Sequence, residues 1–339
     1  MRRAALIGAA SGWGAGFRHT QEGPRVLQQL GLAERLAAAG IPAHWSAMVE
    51  AERDHRLAAE LSAEEKFGIV ARHNAGVADA VAAAMAAREL PVVLGGDHAI
   101  AIGTWGGVAR GIGAPSGLIW LDAHLDAHTA QTSPSMNAHG MSAAVLLGHG
   151  LPEFLAVGGG VLRPENLCYI GIRSYEVAEW ALLRRLGVRM IHMDEVHEGG
   201  LAAAMAEALA IATRGTAGFG LTIDLDGFDP EDVPGVGLPV PDGLRAAETC
   251  AVLRSLARHR DLRAIEIVEY NPALDHAQKT ARLVQDLLTS LLVPATVTPR
   301  AEAFSDEVEA GSAQKMRHNQ QGESAFQVNR LGTRSSSAA

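Results

Sequence analysis

Cysteine is scarce in this chain: Cys168 and Cys250 are its only two in 339 residues. Two thiols cannot build a disulfide framework, and both fall inside runs that read as regular elements, so a reducing compartment is expected. Long Lys/Arg runs are also missing. With a net charge of −9, that argues against nucleic acid or an anionic membrane as partner and suits a cationic ligand better. No stretch reaches the ~18 uncharged apolar residues needed to span a bilayer. Met1-Arg2-Arg3 followed by Ala4–Ala10 has the outline of a signal peptide, but the apolar run is only about seven residues long. A loop with Gly12, Trp13, Gly14 and Gly16 comes next. The segment therefore reads as a first strand, and the expectation is a soluble, cytoplasmic protein. No repeat of fixed period is present.

What the chain does have is apolar content, 48% of its residues, enough for a large core. Short β-type runs alternate with Ala-rich helical ones, the pattern of an α/β fold: three layers, α/β/α, around a mostly parallel sheet of about eight strands. Strands are expected to start near Ala4, Ala43, Pro91, Gly117, Asn166, Val188, Gly218 and Leu262. Helices are expected to include Ala63–Leu90, Leu201–Thr213 and Gln278–Leu292. A single domain over residues 1–295 is the reading. From 296 to 339 polar residues replace the apolar periodicity, which predicts a partly disordered or oligomer-contacting tail, with a docking helix over Ala301–Met316 as one alternative.

Three segments concentrate metal-ligating side chains: Gly95-Gly96-Asp97-His98, Asp122-Ala123-His124-Leu125-Asp126 and Asp224-Leu225-Asp226. On a strand, alternate side chains share a face, so Asp122, His124 and Asp126 project together, as do Asp224 and Asp226. Gly117–Leu121 and Phe219–Ile223 precede them and read as strands buried on both faces. The acids would then emerge at the carboxyl ends of the strands, where open α/β sheets gather ligands. A lone Asp-x-Asp or His in a loop is a solvated turn or a cap in roughly 80% of cases. Three such clusters after apolar strands reverse those odds, because crowded carboxylates repel one another unless a cation neutralises them. Four carboxylates and two imidazoles suffice for two divalent ions about 3.5–4 Å apart.

These segments resemble the ureohydrolases, the family of arginase and agmatinase. The resemblance extends to Thr222–Pro230 around the third segment and to Glu266-Ile267-Val268-Glu269-Tyr270-Asn271-Pro272, and it spans residues 4 to 292 in consistent order. It implies an arginase-like fold and hydrolysis of a guanidinium carbon to urea and an amine, with a pair of Mn²⁺ ions per subunit. One ion would take His98, Asp122, Asp126 and Asp224, and the other Asp122, His124, Asp224 and Asp226. By the same resemblance Asp126 would aim the attacking hydroxide, and His139, in Ser135-Met136-Asn137-Ala138-His139-Gly140, would carry the proton to the leaving amine. Glu269 would grip the guanidinium with both carboxylate oxygens. Without the resemblance, a surface or capping role is the commoner one for a histidine such as His139. Glu266 better fits a structural carboxylate paired with an Arg, and Pro234–Pro239 reads as a rigid loop near the site. Homotrimers or homohexamers are implied.

The pattern departs from arginases at His128, where Asn would read the substrate's carboxylate, and at Leu238, where Thr is frequent. Ser135, Asn137 and an acid at Glu176, facing an α-amino group, stay in register. His128, Ser135, Asn137 and Glu176 are accordingly the expected contacts to the tail of the substrate. Arginase is the favoured reading. Agmatinase or a guanidinobutyrase-type enzyme is the alternative, with formimidoylglutamase weaker because Glu269 suits a cationic head group. A non-catalytic metal-bound relative is disfavoured by the complete ligand set with His139 and Glu269, and a deacylase of similar fold because two bridging carboxylates imply two ions where one would serve.

Overall fold

The computed structural model describes residues 2–16, 18–52, 60–257 and 259–293. The residues from 294 onward, and with them the expected tail and its docking helix, lie outside the described residues. Eight strands form one sheet: β1 Ala4–Ala10, β2 Ala43–Glu50, β3 Leu90–Gly95, β4 Ser116–Leu121, β5 Leu162–Ile172, β6 Arg189–His192, β7 Phe219–Asp224 and β8 Leu262–Val268. All eight expected strands are present. The order across the sheet is β2-β1-β3-β8-β7-β4-β5-β6. Every pairing is parallel, so the expected "mostly parallel" becomes wholly parallel.

The apolar runs behave as strands buried on both faces, with β1, β3, β4 and β7 enclosed at every residue. Alternation divides their side chains between two cores. Leu6, Val92, Ile119 and Leu221 face one side, where the helices Leu201–Thr213 and Lys279–Leu292 cover them. Ile7, Val93, Leu118 and Trp120 face the other, against Ala63–Ala86 and Ala101–Ile112. Among the described residues no helix is long and apolar enough to cross a membrane.

The helix Ala63–Ala86 starts at a capping box, with Ser62 Oγ accepting from Glu65 N at 3.2 Å and Glu65 Oε2 from Ser62 N at 2.8 Å. It ends four residues short of the expected Leu90. Arg88 turns left-handed at φ 61°, and Leu90 N then donates to Arg3 O, which commits it to the sheet. Ala101–Ile112 is a helix that the sequence pattern does not announce, because its glycines lower helix propensity. They permit a close crossing instead: a Cβ on Gly107 would lie 2.5 Å from Ala78 O.

Candidate metal centre

The strand order decides where the chemistry collects. β3, β8, β7 and β4 are successive neighbours, and each runs at its carboxyl end into one of the singled-out segments: Asp97-His98, Glu269, Asp224–Asp226 and Asp122–Asp126. His98, Asp122, Asp126 and Asp224 place one ligand atom each within 4.8 Å of one another, and so do Asp122, His124 and Asp226. Asp122 belongs to both groups. The structure thus brings together all six residues expected to bind metal.

His98 Nδ1 lies 3.0 Å from Asp126 Oδ2, 3.0 Å from Asp224 Oδ2 and 3.3 Å from Asp122 Oδ2. On the other side His124 Nδ1 is 3.2 Å from Asp226 Oδ2 and 3.6 Å from Asp122 Oδ1. Local bonds hold the acids in place. Trp120 Nε1 donates to Asp122 Oδ2 at 2.8 Å, His124 N to Asp122 Oδ1 at 2.6 Å, and Asp226 N to Asp224 Oδ1 at 2.8 Å. Arg173 secures the segment that carries Asp226 by donating to the carbonyls of Asp226, Gly227 and Phe228.

The electrostatics show how much negative charge is enclosed. Burial and the charges of Asp226 and Asp122 push Asp224 well up, and burial lifts Asp226 to about 6 despite His124. Burial also opposes charge on the imidazoles, yet the surrounding carboxylates hold His98 well above its ordinary range and His124 at about 12. Burial works to raise Asp122 too, but bonds from His124 and His98 hold it well below the usual carboxylate range. Protons on the imidazoles are a partial answer to such crowding; cations answer it fully. The donor set fits divalent ions with oxygen and imidazole preference. His98 Nδ1 and Asp226 Oδ1 are buried without a hydrogen-bond partner, as atoms meant for an ion would be.

Glu269 and His139 adjoin this cage. Glu269 Oε1 accepts from His98 N at 2.9 Å and lies 3.2 Å from His139 Nδ1. Burial works against charge on His139, but Glu269 raises it to about 9. His139 is largely enclosed and its backbone N–H donates to Gly14 O at 3.0 Å, so it is no surface residue. Asp97 fixes that loop by accepting from Gly14 N at 2.9 Å.

Of the expected tail contacts, His128 Nε2 lies 3.1 Å from Glu176 Oε2 and 3.4 Å from Glu179 Oε2, and Ser135 Oγ accepts from Asn137 N at 3.2 Å in an exposed loop. Sequence reasoning misses Glu179; its one signal is the helical spacing of three from Glu176. The expected Arg partner of Glu266 is wrong. Its Oε1 accepts from Thr222 Oγ1 at 2.7 Å and Trp105 Nε1 at 3.2 Å, since the β7–β8 pairing sets Thr222 directly beside Glu266 and, among the described residues, no Arg reaches it.

A wholly parallel sheet with helices on both faces and two overlapping His/Asp groups at its carboxyl edge defines an α/β protein with the ligand sets for a pair of metal ions. The arginase family's sequence profile matches residues 2–293, and the chain belongs to that family. The arginase of Bacillus caldovelox is 37% identical over 301 residues, covering 86% of this chain and 98% of that protein. The arginase of Brevibacillus brevis is 36% identical over 288 residues, covering 84% and 96%. A solved structure of the Bacillus caldovelox arginase superposes with a TM-score of 0.79 at 36% identity, over 88% of this chain and 100% of that one.

Proposed function

We propose that this chain is a two-metal hydrolase that converts L-arginine to ornithine and urea. The observation that carries the reading is the enclosed cage in which Asp122 joins the His98, Asp126 and Asp224 group to the His124 and Asp226 group. Family membership and relatives named arginase support the substrate. His98, Asp122, Asp126 and Asp224 would hold one ion, and Asp122, His124, Asp224 and Asp226 the other, with Mn²⁺ favoured by the oxygen-rich, two-imidazole set. Bound there, the ions supply the Lewis acidity that makes hydroxide available from water near neutral pH.

The protein's own groups do the rest. Glu269 offers Oε2 to a guanidinium N–H, and a grip with both oxygens requires Oε1 to loosen its bond with His139. That exchange would place the substrate's planar carbon against the cage and free the imidazole together. His139 is poised as a proton donor to the departing amine. Asp126 orients the attacking water. A small cationic guanidino substrate, cytoplasmic location and a homotrimer or homohexamer complete the proposal.

One observation favours a second reading, an agmatinase or guanidinobutyrase-type enzyme. His128, where an Asn would read an α-carboxylate, engages both Glu176 and Glu179, leaving those acids less available to a substrate ammonium group. A panel of arginine, agmatine, 4-guanidinobutyrate and formimidoyl-glutamate with Mn²⁺ decides. Arginase predicts urea release fastest from arginine; a preference for agmatine, which lacks the α-carboxylate, or for 4-guanidinobutyrate, which lacks the α-amino group, transfers the assignment, and neither urea nor formamide from any of them removes it.

A further inference from the structure

Glu266 lies wholly inside the protein on β8, beyond the cage, and among the described residues it pairs with no Arg or Lys. Its surroundings define a hydrogen-bond direction. The Trp105 indole N–H can only donate, so Glu266 Oε1 is an acceptor. The Thr222 hydroxyl has a single proton, and at 2.7 Å it donates that proton to the same oxygen. A lone pair is then what Thr222 turns toward His98 Nε2, 3.1 Å away, so Nε2 carries the hydrogen. In a neutral imidazole the other nitrogen then has none. Once a cation displaces the proton that the acids otherwise hold on it, His98 Nδ1 would direct its lone pair between Asp126, Asp224 and Asp122, the tautomer that a metal ligand needs.

We infer that Glu266 is a positioning residue: acting through Thr222, it fixes the ring orientation and tautomer of His98 for the ion held on that side of the cage. The inference rests on the two-metal reading above. Trp105 anchors the carboxylate and is itself seated on the strand beside it, where a Cβ on Gly220 would overlap its ring. Without the acceptor at Glu266, Thr222 is free to donate to Nε2, which moves the imidazole hydrogen to Nδ1 and closes the ligand position.

The test is Mn²⁺ binding by chelator competition, which needs no turnover. In Glu266→Met the affinity for one of two ions falls about 10- to 100-fold, the usual effect of losing an outer partner of a ligand imidazole, while the other ion is held as before. Glu266→Gln, whose amide oxygen accepts the same two bonds, stays close to wild type. Wild-type affinity in Glu266→Met, or an equal loss in Glu266→Gln, overturns the inference and leaves the two-metal reading standing. A wild-type protein that takes up no Mn²⁺ overturns both. Should Glu266→Met fail to fold, Thr222→Val decides: selective loss of one ion supports the relay, and unchanged binding of both refutes it.

Discussion

His73 shows what burial does to an imidazole that, among the described residues, has no acid paired with it. Nε2 donates to Val49 O at 3.1 Å, and desolvation lowers its pKa from 6.5 to about 4. The unfolded chain therefore binds more protons between these values, so His73 adds stability above pH 6.5 that disappears as pH falls toward 4. At about 1.4 kcal/mol per pH unit this is roughly 3 kcal/mol. Urea titrations near neutrality and in mild acid should show the drop, and His73→Gln should flatten it. At the cage, His124→Asn should weaken one ion on the order of 100-fold and cut turnover with it; two tightly bound ions and an unchanged rate would refute its assignment. Glu269→Gln should lower kcat/KM by about 10²–10³ through lost guanidinium positioning, measured by urea release with the metal content confirmed.

At the scale of elements, the loops after the strands hold backbone conformations that composition does not announce. Asp126 and Glu269 are both left-handed, at φ 48° and 64°, a cost of about 1–3 kcal/mol each for non-glycine residues. Their neighbours hold them there: Glu269 N donates to Gly96 O, and Ala143 N to Asp126 O, both at 2.9 Å. Arg173 does similar work for the Asp226–Phe228 turn. Lys has one nitrogen where Arg has a planar fork, so Arg173→Lys should cost about 2 kcal/mol, read as a lower thermal midpoint, and weaken metal uptake as Asp226 loses its fixed place. Much of the element pattern was legible in the sequence. About eight β-type runs became eight strands because each is a local signal, bounded by turn residues. The glycine-rich Ala101–Ile112 was not legible, because its stability comes from close packing on Ala63–Ala86.

For the whole molecule, the cage makes folding and metal binding one problem. Ions that bind only the folded state add about 2.7 kcal/mol per site at a concentration about 100 times Kd. Chelation should therefore lower the melting temperature by several degrees, and Mn²⁺ should restore it. The gain should shrink as pH falls, because protons compete for the same carboxylates and imidazoles. An unchanged melting curve after chelation, with metal loss verified, would contradict a cation-filled cage.

The amino-acid sequence by itself determined the strands, the six candidate ligands and their emergence at strand ends, because alternation and spacing are properties of short segments. Tertiary structure alone decided that β3, β8, β7 and β4 stand side by side, which is what makes three distant segments one cage. It also decided that Glu266 meets Thr222 and Trp105 rather than an arginine, and that His128 closes on Glu176 and Glu179. Those partners are far apart in the chain, and a contact between distant residues is set by strand order and packing, which no local pattern encodes.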